Sequence, residues 1–541
     1  NHGFNKWGLT PLYSENSRYS YYSQPSSNSN ENIQKNTGYS QVDLFQKFLV
    51  KLGDTNLLNI NIQFSESSDI DRFDQLSITK GNSLKFSEWY YGPQKRLLIS
   101  PSLKIFPNRK FMKKGVITFG FQKINESRIK RKFNTFNRSH QIEDLKVYSL
   151  NGDFDTSFND DHSISYGVES TYNYNYSKAY DQIIEIQGNQ ITGLGEKFAI
   201  PTRYPSNGSS YTSFASYVNW SWNMSEFFTF NVGTRLTFTG LKASWNDIIS
   251  VNPQLSEVNL NSKALTTTFS IKLRPSKRVQ INTVLSSGFR NPNIDDIGKI
   301  RENNGLLVVP NTFLKPEYAY NLDLGIDFRS LNNRNYISLR GFSTIISRHI
   351  GRDEFVVFSD ITTPDLSTVI YNGEEVTTIS NKNLGNRFIH GFSIDGFSKI
   401  NNNLKFNYSL TYTEGDNNDA YGPLPSISPL FGSIALSYSK RGVKLKAIYK
   451  FSEAKKPSKY SFGGEDGLDE TPFIINGENG LVSYLGTPKW SDLSIYGSKN
   501  ISSNVTLRLG LTNVFDSHYR TFASGISAPG RSFQLGLNLK L

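Results

Sequence analysis

The stretch that most constrains this chain is its last, residues 503–541, SNVTLRLGLTNVFDSHYRTFASGISAPGRSFQLGLNLKL. Val505, Leu507, Leu509 and Leu511 alternate with Thr506, Arg508, Gly510 and Thr512. After a loop, Phe533, Leu535, Leu537, Leu539 and Leu541 alternate with Gln534, Gly536, Asn538 and Lys540. A period of two residues is that of a β-strand, whose side chains point to opposite faces in turn. One soluble sheet could carry this pattern once. Here it recurs along the whole chain, as expected of a transmembrane β-barrel with apolar residues toward lipid and polar residues toward a lumen.

Composition fits a barrel better than the alternatives. Only 37% of residues are hydrophobic and the mean hydropathy is −0.45. No apolar run reaches the roughly 18 residues a membrane-spanning helix needs. A barrel escapes such a search because half of each strand is polar. Aromatics make up 13% of the chain, with 29 Tyr and 38 Phe, enough to furnish girdles at both membrane interfaces. With no cysteine, disulfides, zinc–thiolate sites and thiol nucleophiles are excluded. The net charge of +12 is dispersed over loops, turns and inward strand faces. No basic stripe with interleaved aromatics forms, so no nucleic-acid partner is expected. Anionic outer-leaflet lipid, lipopolysaccharide or an anionic solute suits this charge better. The chain opens Asn1-His2-Gly3, without initiator Met or signal peptide. Export to an outer membrane therefore implies that Asn1 is not the start of the gene product.

Strand signals come in pairs: 40–52 with 56–66, 95–107 with 115–125, 142–152 with 162–174, 210–223 with 227–238, and 263–273 with 277–290. The second half continues with 320–328 and 334–347, 387–399 and 403–413, 430–440 and 442–453, and then 489–499, 503–513 and 530–541. In 442–453, Val443, Leu445, Ala447, Tyr449 and Phe451 share one face, while Lys444, Lys446 and Lys450 share the other. A lysine at the bilayer midplane costs about 2–4 kcal/mol, which sends these three inward. Residues 1–39, rich in Tyr, Ser and Asn, read as a long loop. Connections alternate short and long, as barrels alternate periplasmic turns with extracellular loops. The segments 67–94, 126–141, 175–209, 239–262, 291–316, 348–386, 414–429, 454–488 and 514–529 are expected outside, and the C-terminus in the periplasm. Ten residues rising ~3.3 Å each at ~40° of tilt span roughly 25 Å, the height of the apolar band. The fold class is all-β, a transmembrane antiparallel barrel of about nineteen strands. Parity then requires an odd number more, and three would make twenty-two.

Several motifs resemble one family in order and spacing along essentially the whole chain. They are Asn36-Thr37-Gly38-Tyr39 leading to a Gln-Lys pair, Ser68-Asp69-Ile70-Asp71-Arg72-Phe73-Asp74, Trp89-Tyr90-Tyr91-Gly92-Pro93-Gln94 and Glu126-Ser127-Arg128. Gly288-Phe289-Arg290-Asn291-Pro292, Leu314-Lys315-Pro316-Glu317, Leu511-Thr512-Asn513-Val514-Phe515 and Pro529-Gly530-Arg531 follow. The chain resembles the barrel of a TonB-dependent receptor of Bacteroidetes type. The resemblance implies twenty-two strands, and an N-terminal plug domain inside the barrel that contacts TonB. Neither the plug nor the first strands are within residues 1–541, so the chain reads as the C-terminal part of such a receptor.

Candidate solute contacts are Arg290 and Asn291 at an outer strand end, His349 and His518 in outer loops, and Arg531 after the Pro-Gly corner. The plainer reading of both arginines is a strand-to-loop corner punctuated by Gly and Pro, with Arg531 lining the wall or touching the plug. His2, His140 and His390 also fall in or beside outer loops, and His162 beside a periplasmic turn. Histidines with tyrosines can ligate haem or a metal chelate, but no pair has ligand spacing. Acidic groups crowd 414–419 and 465–470, making Asp416, Asp419, Asp466 and Asp469 candidate calcium ligands although neither loop is an EF-hand. Gly193-Leu194-Gly195 lacks the strand–helix setting of a phosphate cradle. No nucleophile, base and orienter converge in the sequence, so no enzyme and no resident cofactor are expected.

The resemblance implies an importer that captures a siderophore, another metal chelate or a cofactor and releases it inward when TonB moves the plug. A glycan or peptide importer lidded by a surface lipoprotein is the rival cargo reading. A barrel subunit of a larger outer-membrane assembly, or a passive pore, are the rivals of other classes.

Overall fold

The computed structural model describes residues 12–14, 25–27, 29–30, 33–76, 79–80, 83–107, 109–246, 257–303, 305–357, 367–371, 374–418, 421–476 and 481–540. Nineteen long strands, from Gln41–Leu52 to Ser532–Leu539, form an antiparallel meander in which chain neighbours are sheet neighbours, wrapped into a barrel. All nineteen expected strands are present. No helix among the described residues is long and apolar enough to cross a membrane.

The final pair shows how the pattern becomes a wall. Val505 lies opposite Leu539, Leu507 opposite Leu537, Leu509 opposite Leu535 and Leu511 opposite Phe533. Arg508 faces Gly536, and Gly510 faces Gln534, on the other side. Register keeps each face uniform, since a one-residue slip would turn every leucine inward. Leu535 is 70% exposed and Leu537 63%, an apolar skin that needs lipid rather than water. The opposite faces are polar and bonded to one another. Tyr336 donates to Asp327 at 3.0 Å, Thr344 to Asn321 at 2.6 Å, and Arg235 lies 3.2 Å from Glu169. Lys444, Lys446 and Lys450 stand opposite Ser498, Tyr496 and Asp492, away from Leu445 and Tyr449.

Short turns close one end of the barrel. Between Lys440 and Val443, both Arg441 (φ 48°) and Gly442 (φ 76°) are left-handed, the geometry a two-residue hairpin requires to match strand twist. Within the wall, Gly396 lies opposite Tyr408 and Gly432 opposite Phe451. A Cβ on Gly432 would come 2.5 Å from the Ser409 carbonyl oxygen and 2.7 Å from the Phe451 ring. Here glycine makes room for an aromatic ring folded across it.

The other end departs from the sequence reading. Segments expected as loops continue as strands: Lys114–Lys132 and Asn137–Ser157 run through 126–141, and His162–Gln187 pairs with Gln190–Ala199 inside 175–209. Residues expected as loop at 239–262 extend Phe228–Ser244 and Glu257–Ser276. Beyond the membrane both strand faces meet water or other protein, so hairpins continue without the lipid-side alternation that marks a spanning segment. Within 1–39, Leu12–Ser14 pairs antiparallel with Pro25–Ser27 where a loop was expected.

Buried apolar packing concentrates at this same end. The connections 291–316 and 348–386 build a five-stranded sheet from Arg301–Asn303, Leu306–Val308, Ile350–Glu354, Thr368–Tyr371 and Glu374–Asn383. It closes over Leu241, Ala243, Trp245, Val258, Ile297, Ile300, Leu307, Val309, Leu314, Ile350 and Val376. The barrel thus carries a cap whose core is completed by Leu241, Ala243 and Val258 at the ends of two barrel strands. At the seam, Gln41–Leu52 is exposed along its whole length and Ser532–Leu539 nearly so. Among the described residues no ladder joins these two strands.

Candidate functional site

Three of the motifs quoted above meet at one joint under the cap. Ile70 pairs with Tyr91, which brings Arg72 against the Trp89–Gln94 segment. Arg72 donates to Asp74 at 2.9 Å and to the Tyr91 hydroxyl at 2.7 Å, with its guanidinium 4.9 Å from the Trp89 ring. Arg128 lies 5.5 Å from the Tyr91 ring centroid and pairs with Glu126 at 2.8 Å. Burial opposes the Arg72 charge, but Asp74 and Tyr91 more than compensate and hold it protonated. Beside this joint, Glu88 is fully buried between Arg131 at 2.6 Å and Arg138 at 2.9 Å. These motifs anchor the loop 67–94 to the barrel wall.

The cap meets the barrel at Arg290. This residue ends the strand Val279–Arg290, opposite Glu317. Its guanidinium donates to Asp296 and lies 3.6 Å from Glu317. Asp296 belongs to the short helix Ile294–Ile297, which Asn293 closes with a capping box. Asn291 accepts from Ser262 and donates to the Pro292 carbonyl at 3.2 Å, a corner contact. Beyond the corner, Asp295 takes bonds from Lys299 at 2.8 Å and Tyr204 at 2.7 Å. Burial raises the Asp295 carboxyl, yet these two donors together bring it below the usual range. Burial beside the same acid pushes the Tyr204 hydroxyl up to about 12.

A cavity of about 340 Å³ opens next to this corner. Arg290, Lys299, His349, Arg352, Ser426 and Glu465 line it, brought together from one strand end and four connections. His349 is only 8% exposed, and neither ring nitrogen has a hydrogen-bond partner, with Nδ1 3.5 Å from Glu317. Arg352 donates through Nη1 to the Gly463 carbonyl at 2.6 Å, while its Nε stands unbonded 3.6 Å from Glu465. Burial holds the Glu465 carboxyl above the ordinary carboxylate value, with Arg352 only partly offsetting it.

Of the residues singled out in the sequence, Arg290 and His349 therefore share one cavity, while Asn291 supports its rim. His518 lies elsewhere, bonded through Nε2 to Ser527 at 2.9 Å. Arg531 wraps a corner, donating to Asp516 through its backbone and to the Val514 carbonyl through Nε. Asp416 is bonded to Arg387 at 2.9 Å. Asp466, 2% exposed, accepts from Ser426 at 2.8 Å and pairs with the buried Lys455 at 3.3 Å. Asp469 lies in a short helical turn, Leu468–Glu470, and Asp419 lies outside the described residues, as does His2. Among the described residues no three His, Asp or Glu side chains come together as metal ligands would. Arg352 and Glu465 had no signal of their own. Arg352 falls in a stretch that reads as loop without a motif, though it lies on the strand Ile350–Glu354, and Glu465 is one of several neighbouring acids.

The comparisons with known proteins agree with this architecture. Among solved structures, the chain superposes on the copper transporter OprC with a TM-score of 0.70 at 14% identity, covering 98% of this chain and 74% of that one. The siderophore receptor PirA from Acinetobacter baumannii gives a TM-score of 0.65 at 14% identity, over 93% of this chain and 71% of that one. A curated relative from Haemophilus influenzae, a probable hemoglobin and hemoglobin-haptoglobin-binding protein, is 23% identical over 277 residues, 47% of this chain and a quarter of its own length. The family described as TonB dependent receptor-like, beta-barrel matches residues 3–514, and with nearly the whole barrel covered the chain belongs to that family.

Proposed function

We propose that this chain is the barrel of an outer-membrane receptor that imports a scarce solute, a siderophore, another metal chelate or a cofactor, with TonB supplying the energy. The observation that carries the reading is the asymmetry of the two ends. Short turns close one end, while long connections build a cored cap with a charged cavity at the other. A conduit alone needs no such cap, whereas a receptor needs a preformed surface at its entrance. Family membership and the siderophore and copper neighbours support this class of cargo. On this reading the cap faces outward and the short turns face the periplasm. The order of the motifs supports the Bacteroidetes type.

The reading includes a plug in the lumen through which TonB acts, and further strands at the seam, where among the described residues no ladder joins the two edge strands. That seam also favours a second reading, a barrel subunit of a larger assembly whose other chains supply the missing edge partners. Uptake of a panel of iron chelates, haem and copper by cells carrying or lacking this receptor, with and without TonB, tests the first reading. Uptake that needs both receptor and TonB is expected. Uptake indifferent to TonB, or none for any cargo alongside stoichiometric partner chains on purification, would favour the second.

A further inference from the structure

The cap cavity has an imbalance that its own residues do not resolve. Its acids are largely matched: Asp295 by Lys299 and Tyr204, and Asp296 by Arg290 and the Asn293 backbone at 3.0 Å. Its donors are not. His349, nine-tenths buried, has only Glu317 near Nδ1, at 3.5 Å, and nothing on Nε2, and the Arg352 Nε–H is unbonded. Buried donors without acceptors are costly, of order 1–3 kcal/mol each, and they favour whatever supplies oxygen lone pairs. Glu465 lies beside Arg352 but at 3.6 Å, too far for a hydrogen bond. Glu465 therefore holds the guanidinium only by a loose ion pair, which an anion that bonds directly can displace. A planar guanidinium offering an unused edge is the geometry that recognises carboxylates.

We propose that this cavity binds a carboxylate of the transported solute, with Arg352 and His349 donating to its oxygens and Glu465 as the group that the incoming anion displaces from Arg352. The site thereby selects carboxylate-bearing cargo over neutral cargo of the same shape. As cargo recognition, the proposal rests on the importer reading, but the anion site can be measured without it. Ser426, whose backbone N–H is held by Asp466, fixes the far wall through a third connection. Ligand binding would therefore tie together 348–386, 414–429 and 454–488.

The test is isothermal titration of the purified full-length receptor with tricarballylate, a tricarboxylate that binds metals weakly, and with its neutral triamide. Binding of the anion and not the triamide is expected. Arg352→Gln and His349→Gln should each weaken it about tenfold or more. Glu465→Gln removes the competing carboxylate and should tighten it. A misfolded cap can lose affinity but not gain it, so the opposite signs of Arg352→Gln and Glu465→Gln separate recognition from damage. Absence of binding, equal binding of the triamide, or Glu465→Gln weakening binding as Arg352→Gln does, would each overturn the proposal. Uptake assays separate the two readings. TonB-dependent uptake that survives Arg352→Gln and His349→Gln at full rate removes the carboxylate site from transport while the importer stands. Titration as expected without any TonB-dependent uptake removes the importer and leaves an anion site.

Discussion

Single residues in this protein work mainly by tying long connections to one another. Lys455 is the clearest case. It is 5% exposed, donates to the Ile427 carbonyl at 2.7 Å, pairs with Asp466 and lies 3.9 Å from the Phe522 ring centroid. One ammonium thus joins 416–429, 454–488 and 514–529. Removing one member of a buried pair strands the other, at a cost of about 3–5 kcal/mol. Lys455→Met should accordingly abolish slow hydrogen exchange across all three connections while leaving exchange in the barrel strands unchanged, and loss confined to 454–488 would contradict the joint role. His518 gives a pH dependence at the same scale. Burial, and then Arg520, holds its imidazole below the ordinary value of about 6.5. A depressed histidine contributes stability that is present above the unfolded value and lost as pH falls through the folded one. Exchange in 514–529 should therefore quicken on acidification from pH 7.5 to 5, and His518→Gln should flatten that change.

At the scale of elements, face and register decide what a substitution does. Leu537 and Asn538 are neighbours on the last strand, yet Leu537 belongs to the apolar skin and Asn538 faces inward opposite Thr506. A lysine at Leu537 should cost about 2–4 kcal/mol of folding stability in lipid if near the midplane, and one at Asn538 little. Urea unfolding in liposomes measures both, and equal costs would refute the face assignment. Gly432→Val should fail differently, because its Cβ would strike the Ser409 carbonyl and the Phe451 ring, and the wall must part to admit it. The cap sheet is a separate element whose core is completed by the ends of two barrel strands. Ile297 is fully buried there, and Ile297→Ala should cost about 2–5 kcal/mol.

Across the whole molecule, barrel and cap are stabilised by different means. The barrel relies on continuous ladders and lipid, while the cap relies on an aqueous apolar core and ion pairs at its edges. Lys132 reaches Glu374 at 3.3 Å, Arg352 reaches Gly463, and the cap core packs on Leu241, Ala243 and Val258 at the ends of two barrel strands. Two thermal transitions are expected in detergent, and Ile297→Ala should lower only the first, as scanning calorimetry would show. A single transition that moves as one would mean that cap and barrel are one cooperative unit.

The sequence by itself determined the barrel. Lipid on one side and water on the other impose a two-residue period, and that period is local enough to read strand by strand, from Gln41 to Leu539. It also placed the short turns, whose glycines and asparagines are required by left-handed backbone. The cap was beyond reach, because its core joins Leu241 to Val376 across well over a hundred residues and no local period records such a contact. For the same reason Arg290 and His349 were legible as candidates by type and place, while Arg352 and Glu465 were not. What makes those four a site is a shared cavity in which His349 and the Arg352 Nε are buried without hydrogen bonds, and burial is decided only when the long connections fold onto each other.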